Sequence, residues 1–317
     1  MSELSKRMRV EWSVNDAKRD AGLTTPETVE RFDGLAYGPD PVWNCLDVYR
    51  PKCERGNRLP VIVSIHGGGW VYGDKELYQF YCMSLAGRGF AVVNFTYRLA
   101  PEFKFPAQLE DTNRVMEWVY ANCETYGFDL DNIFMVGDSA GAHLLGLYTA
   151  ICTSPEYAAR YPFKAPQGFV PRAIGMNCGA YEPLAEVEHE GGSTNLELME
   201  DLLPEKGSQK ERELINVTDH VNSSFPPVYL MTAVGDFCMD QAPGLREKLK
   251  EAGVYCEYKL YGDQEHPLYH VFHLTVQEAE GQLCNDEECG FFRRMMKRGG
   301  GDGGVRIAGS LQSGNFG

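Results

Sequence analysis

Four stretches of the chain are largely apolar, and polar or helical segments separate most of them. "LPVIVSIH" (59–66), "FAVVNFTYR" (90–98), "NIFMV" (132–136) and "PVYLMTAV" (227–234) are rich in Val and Ile. Continuous runs of this length predict strands buried on both faces, as in a parallel sheet. "CEYKLYG" (256–262) adds a fifth strand, and "CLDVYRP" (45–51) a short one stopped by Pro51. Between them the apolar period changes to that of a helix. In 107–127, Leu109, Val115, Trp118 and Val119 fall near one face; in 242–253, Leu245, Leu249 and Ala252 do so, and Gly253 closes the segment. Alternating strands and helices predict an α/β domain with a mainly parallel sheet.

Two regions break this rhythm. Residues 1–40 are polar with scattered apolar positions, read as a helix followed by a turn-rich stretch, and are assigned to a cap segment. Residues 181–225 are acidic and long for a connection, so they are read as a cap insertion within a domain of 41–297. The tail 298–317 is Gly/Ser-rich and is expected to be a flexible end.

Composition narrows the function. A 317-residue chain with 43% apolar residues can bury a full core, and a formal charge of −15 argues against a nucleic-acid partner. The ten cysteines contain no Cys-x-x-Cys pair, and several lie in apolar stretches, such as Cys152 and Cys178. Neither a metal site nor a disulfide framework is expected, and a cytoplasmic setting is the simpler one. The charged N-terminus has no secretory h-region, and no apolar run is long enough for a membrane span.

Chemistry enters with "IFMVGDSAGAHLL" (133–145). Ser139 follows a predicted strand and precedes a helical pattern in which Leu144, Leu145, Tyr148, Ile151 and Cys152 share a face. Strand, tight turn and helix form the context in which G-x-S-x-G presents a nucleophile, with Gly137 and Gly141 letting strand and helix approach. "HGGGW" (66–70) lies upstream, directly after another predicted strand. Three glycines there bring backbone N–H donors close to a bound oxyanion.

"HGGGW" (66–70), "YRLAPEFKFPAQLED" (97–111) and "GDSAGA" (137–142) together resemble the α/β-hydrolase fold, and within it the hormone-sensitive-lipase-like esterases. The likeness runs from about residue 45 to 297. It implies Ser139 as nucleophile and the amides of Gly68, Gly69 and Ala140 as an oxyanion hole. The chain order in this fold is Ser, acid, His. Asp236, in "DFCMD" (236–240), is the expected acid, with Asp240 the alternative; Phe237 and Cys238 stand where the family has Pro and Leu. "YGDQEHPLYHVFHL" (261–274) offers His266, His270 and His273 as base. His270, followed one residue later by Phe, is preferred; His266 is the alternative. His143, His189 and His220 receive no catalytic role, His66 is expected to shape its own glycine loop, and Arg98 and Asp111 are expected to be structural partners. Trp70 and Tyr72 either narrow an acyl pocket or serve packing.

These residues point to a serine hydrolase of esters that needs no cofactor or metal; the resemblance implies short acyl chains, with acetyl-type esters the narrower expectation. The expected partner is a small-molecule ester, with a homodimer left open. An amidase or formamidase on the same triad and a non-catalytic small-molecule receptor are the rival readings.

Overall fold

The apolar runs lie side by side in the middle of one eight-stranded sheet. The computed structural model describes residues 1–54, 56–184 and 194–297. The strands are β1 (Val29–Ala36), β2 (Cys45–Pro51), β3 (Leu59–Ile65), β4 (Ala91–Phe95), β5 (Phe128–Asp138), β6 (Ile174–Asn177), β7 (Val228–Ala233) and β8 (Cys256–Tyr261). Their spatial order is β1-β2-β4-β3-β5-β6-β7-β8. β1 and β2 are antiparallel to their neighbours, and every pairing from β4 through β3 to β8 is parallel. Helices cover both faces, which is why the central strands carry no polar side: every residue of β4, β6 and β7 is buried.

The expected α/β class is met, with two strands beyond those expected. Residues 29–36 form β1, a strand not expected within the polar segment 1–40. Its burial alternates weakly because it is an edge strand, paired on one side only. β6, four residues long, lies between β5 and β7. The predicted helix 107–127 ends at Ala121; a separate turn Cys123–Tyr126 follows, and Gly127 stops it in the left-handed region at φ 62°. Helices Thr194–Leu202 and Gln209–Ile215 occupy part of the expected insertion. Residues 185–193 of that insertion, including His189, and the tail 298–317 lie outside the described residues.

The N-terminal helix Glu3–Arg19 crosses the carboxyl edge of the sheet. Arg9 holds it there: Nε donates to Val71 O at 2.7 Å and Nη2 to Ala100 O at 2.9 Å. At its start, Ser5 Oγ donates to Asp201 Oδ2 at 2.6 Å, tying it to the helix Thr194–Leu202. Among the described residues no helix is long and apolar enough to cross a membrane.

Candidate active site

Ser139 stands between β5 and the helix Ala140–Thr153, at φ 50° and ψ −120°. A β-carbon is strained in that region, at a cost on the order of 1–3 kcal/mol that the surrounding packing must offset. Its amide is anchored to the end of β6, donating to Asn177 O at 2.9 Å. Gly141, two residues on, lies against the backbone of β3: a β-carbon there would be 2.1 Å from Ile65 O. The motif glycine is thus required by contact between helix and strand.

The glycine loop after β3 is similarly constrained. Gly68 has φ 108°, and a β-carbon on it would lie 2.0 Å from Tyr72 O. Gly69 lies beneath the N-terminal helix, facing Met8. His66 is fully buried and stacks on Tyr97 with 3.9 Å between ring centroids. Its Nδ1–H donates to Gly67 O at 2.7 Å, so it does brace its own loop. Burial lowers its pKa to about 4, keeping the ring neutral. The Gly67 amide donates to Tyr78 Oη at 2.8 Å, and Tyr78 Oη donates to Asp138 Oδ2 at 2.7 Å. Asp138 immediately precedes Ser139, so one tyrosine links the glycine loop to the serine turn. Burial raises the Asp138 carboxyl to about 6. Ala140 opens the helix, where N–H groups lack intrahelical partners and the dipole favours negative charge.

The acid and the histidine come from the loops after the last two strands, β7 and β8. Asp236 follows β7 and is buried. Its Oδ2 accepts from Thr232 Oγ1 at 2.8 Å, and Oδ1 accepts from the Cys238 amide at 2.8 Å and from His270 Nδ1 at 2.6 Å. Burial alone would raise this carboxyl, but the His270 hydrogen bond and charge, with the other two donors, hold it below the ordinary range. His270 lies in the loop after β8, where Val271 turns the chain at φ 53°.

The other candidates are placed elsewhere. His266 is 85% exposed in its side chain and faces Asp263 at 3.7 Å. His273 is fully buried with its ring edge-on to Tyr81, and burial lowers its pKa to about 3. Asp240 precedes the helix Gln241–Glu251 without capping it through its side chain. His143 is buried and bonds Ile215 O at 2.8 Å. Arg98 Nε reaches the fully buried Asp111 at 2.9 Å, a structural pair.

Ser139 and His270 face one cavity of about 350 Å³. Gly67, Gly68, Tyr72 and Asp138 line it from the sheet edge, and Trp12, Asn15, Asp16 and Arg19 line it from the N-terminal helix. Phe237 forms another wall, its ring 3.9 Å from that of His270. Of the two aromatic residues expected at the pocket, Tyr72 is there: its hydroxyl donates to Asp16 Oδ2 at 2.7 Å. Trp70 is not among the lining residues. It is buried, and its Nε1 donates to His143 Nδ1 at 3.2 Å, a packing role. Sequence reasoning did not single out Tyr78, Asp138, Thr232 or the helix residues. Only Asp138 had a signal, its place inside the serine motif.

A strained serine after β5, an acid after β7 and a histidine after β8 coincide with a family-model match to the alpha/beta hydrolase fold over residues 62–270. The chain belongs to the α/β-hydrolase family. Among relatives of this chain, esterase LipC of Mycobacterium tuberculosis is 34% identical over 40% of this chain and 32% of its own. The chain therefore spans about a third of LipC. The versiconal hemiacetal acetate esterase of Dothistroma septosporum is 29% identical over 74% of this chain and 73% of its own. Among solved structures, esterase B of Lactobacillus rhamnosus has a TM-score of 0.84 at 27% identity, covering 93% of this chain and 97% of that one.

Proposed function

We propose that this α/β hydrolase cleaves short-chain carboxylic esters through an acyl-enzyme on Ser139. A serine hydroxyl needs a base to remove its proton, and the base needs a fixed tautomer. The 2.6 Å contact between Asp236 and His270 Nδ1 carries the reading. With Nδ1–H committed to the carboxylate, the Nε2 lone pair of His270 is the one free to act on Ser139, which shares its cavity.

Ser139 Oγ attacks the ester carbonyl as its proton passes to His270 Nε2. The Gly68, Gly69 and Ala140 amides receive the oxyanion; each such donor is worth about 2.7–4 kcal/mol in the transition state. The imidazolium, stabilised by Asp236, protonates the departing alcohol. Water, deprotonated by the same nitrogen, releases the acid.

Acetyl-type esters are the narrower substrate class. The cavity is small, about 350 Å³, and the N-terminal helix roofs it. The name of the versiconal hemiacetal acetate esterase is consistent with this class. Ten unpaired cysteines support a cytoplasmic setting. A nitrophenyl ester series tests the reading: kcat/KM is expected to be greatest at C2–C4 and lost in Ser139→Ala. A maximum at C8–C12 overturns the acetyl class, and full turnover by Ser139→Ala overturns the mechanism. Faster cleavage of an acetanilide than of the matching ester would make the chain an amidase.

A further inference from the structure

A third polar side chain approaches the acid–histidine pair from the interior. Cys178 follows β6 at φ 47°, fully buried. Its amide donates to Met231 O at 2.8 Å, so its position is set by the pairing of β6 and β7. Its thiol makes a weak contact with the Met231 thioether at 3.9 Å and also interacts with the Asp236 carboxylate and the Val271 backbone. A ring nitrogen of His270, a carboxylate oxygen of Asp236 and Cys178 Sγ all lie within 4.8 Å of one another. The His270 nitrogen facing Asp236 is Nδ1.

We propose that Cys178, Asp236 and His270 form an inhibitory site for a thiophilic divalent cation of the zinc and cadmium class. Cysteine sulfur, imidazole nitrogen and carboxylate oxygen are the ligand types zinc selects, at about 2.0–2.3 Å. Three atoms no more than 4.8 Å apart leave a point within about 2.8 Å of each. A tetrahedral ion at those distances asks the Asp236–His270 pair to open from 2.6 Å to about 3.4 Å and Cys178 Sγ to close in, shifts on the order of 1 Å. Two of the three are already oriented: Thr232 and the Cys238 amide hold the carboxylate, and the β6–β7 pairing holds the cysteine backbone. The histidine can adjust, because its side chain is 18% exposed at the cavity and its outer neighbour Phe237 is 66% exposed.

The proton accounting gives the inhibition. The thiol loses its proton to solvent and binds as thiolate. Asp236 is already a carboxylate. The imidazole proton leaves Nδ1, which becomes a ligand, and appears on Nε2. The ring stays neutral, but its lone pair no longer faces Ser139, so the base is switched off without blocking the cavity. The inhibitory consequence rests on the triad proposed above; the binding does not.

The test uses the whole protein with cadmium chloride or zinc chloride, reversed by EDTA. Hydrolysis of nitrophenyl acetate, normalised to each variant's metal-free rate, and the ultraviolet thiolate-to-cadmium charge-transfer band are both read. Wild type is expected to lose activity reversibly and to gain the band. Cys178→Ala is expected to lose the Cys178 part of the band and to need at least about tenfold more metal for half-inhibition. Cys178→Ser, closer in volume, provides the same test if the alanine variant does not fold. An unchanged midpoint and an unchanged band in the folded variant overturn the site. Failure of the triad reading would instead show as a His270→Ala variant that still hydrolyses ester.

Discussion

Replacing Gly141 by alanine tests whether the serine turn depends on the close approach of helix and strand. The added carbon would lie 2.1 Å from Ile65 O and 2.6 Å from His66 O, whereas real β-carbons essentially never come within 3.0 Å. The shortfall is about 0.9 Å against backbone that cannot swing aside. Ile65 ends β3, paired to Phe95 on one side and Gly137 on the other. The helix Ala140–Thr153 must therefore yield, and it carries Ser139 and Ala140 at its start. Overpacking of this kind costs about 1–3 kcal/mol, equivalent to a fall in Tm of several degrees for a chain of this size. The catalytic effect is larger than the stability effect. A displacement of about 1 Å at reacting groups costs on the order of 100-fold in rate. Steady-state hydrolysis of nitrophenyl acetate beside a thermal melt separates the two, with kcat expected to fall about 100-fold in protein that is still folded at assay temperature. A kcat within threefold of wild type, with an unchanged melt, would refute the packing argument.

Three further outcomes follow from the same geometry. Asp236→Asn should lower kcat by about three to four orders of magnitude with KM within a few-fold, because the amide no longer selects the tautomer; retention of a tenth of wild-type kcat would sink the assignment. Tyr72→Ala should raise kcat/KM for C8 relative to C2 esters by about tenfold. Tyr72 stands between the active-site cavity and a neighbouring one of about 440 Å³ lined by Trp43, Val71 and Leu99, and an unmoved chain-length profile would refute this. His273→Phe should selectively relieve acid instability. Burial, with a lesser contribution from the His270 charge, lowers the His273 pKa to about 3 from 6.5. Its neutral form therefore favours the fold above pH 6.5, and that stability is lost as pH falls from 6.5 towards 3. At pH 5 the loss is on the order of 2 kcal/mol, so the variant's stability relative to wild type should be greater at pH 5 than at pH 7; equal urea-melt differences at both pH values would contradict it.

The parallel core was legible because burial on both faces leaves an unbroken apolar run, as in β3, β4 and β7. β1 was not, because an edge strand with one paired side admits Glu30, Arg31 and Asp33. β6 was too short, at four residues, for any period to show. The serine turn and the glycine loop were readable from local spacing, since glycines there answer to neighbouring backbone. The histidine was not decided by spacing. The turn that directs His270 inward and leaves His266 in solvent depends on Val271 in a left-handed conformation and on a buried carboxylate 34 residues away. Trp70 and Tyr72 are two residues apart and serve different roles, one packed on His143 and one facing the cavity. Tyr78, which joins Gly67 to Asp138, acts across a separation that sequence pattern does not encode.

The three proposed catalytic groups hang from three different strands, so their mutual spacing is an expression of strand register. Met176 sits opposite Leu230, and Leu230 opposite Tyr258. A slip of one residue between β7 and β8 would carry the histidine loop about 3.3 Å along the sheet and turn its strand's side chains to the other face. Hydrolysis thus serves as a ruler laid across the sheet: a chain that has collapsed and formed its helices but mispaired its last strand would pass most tests of foldedness and fail this one.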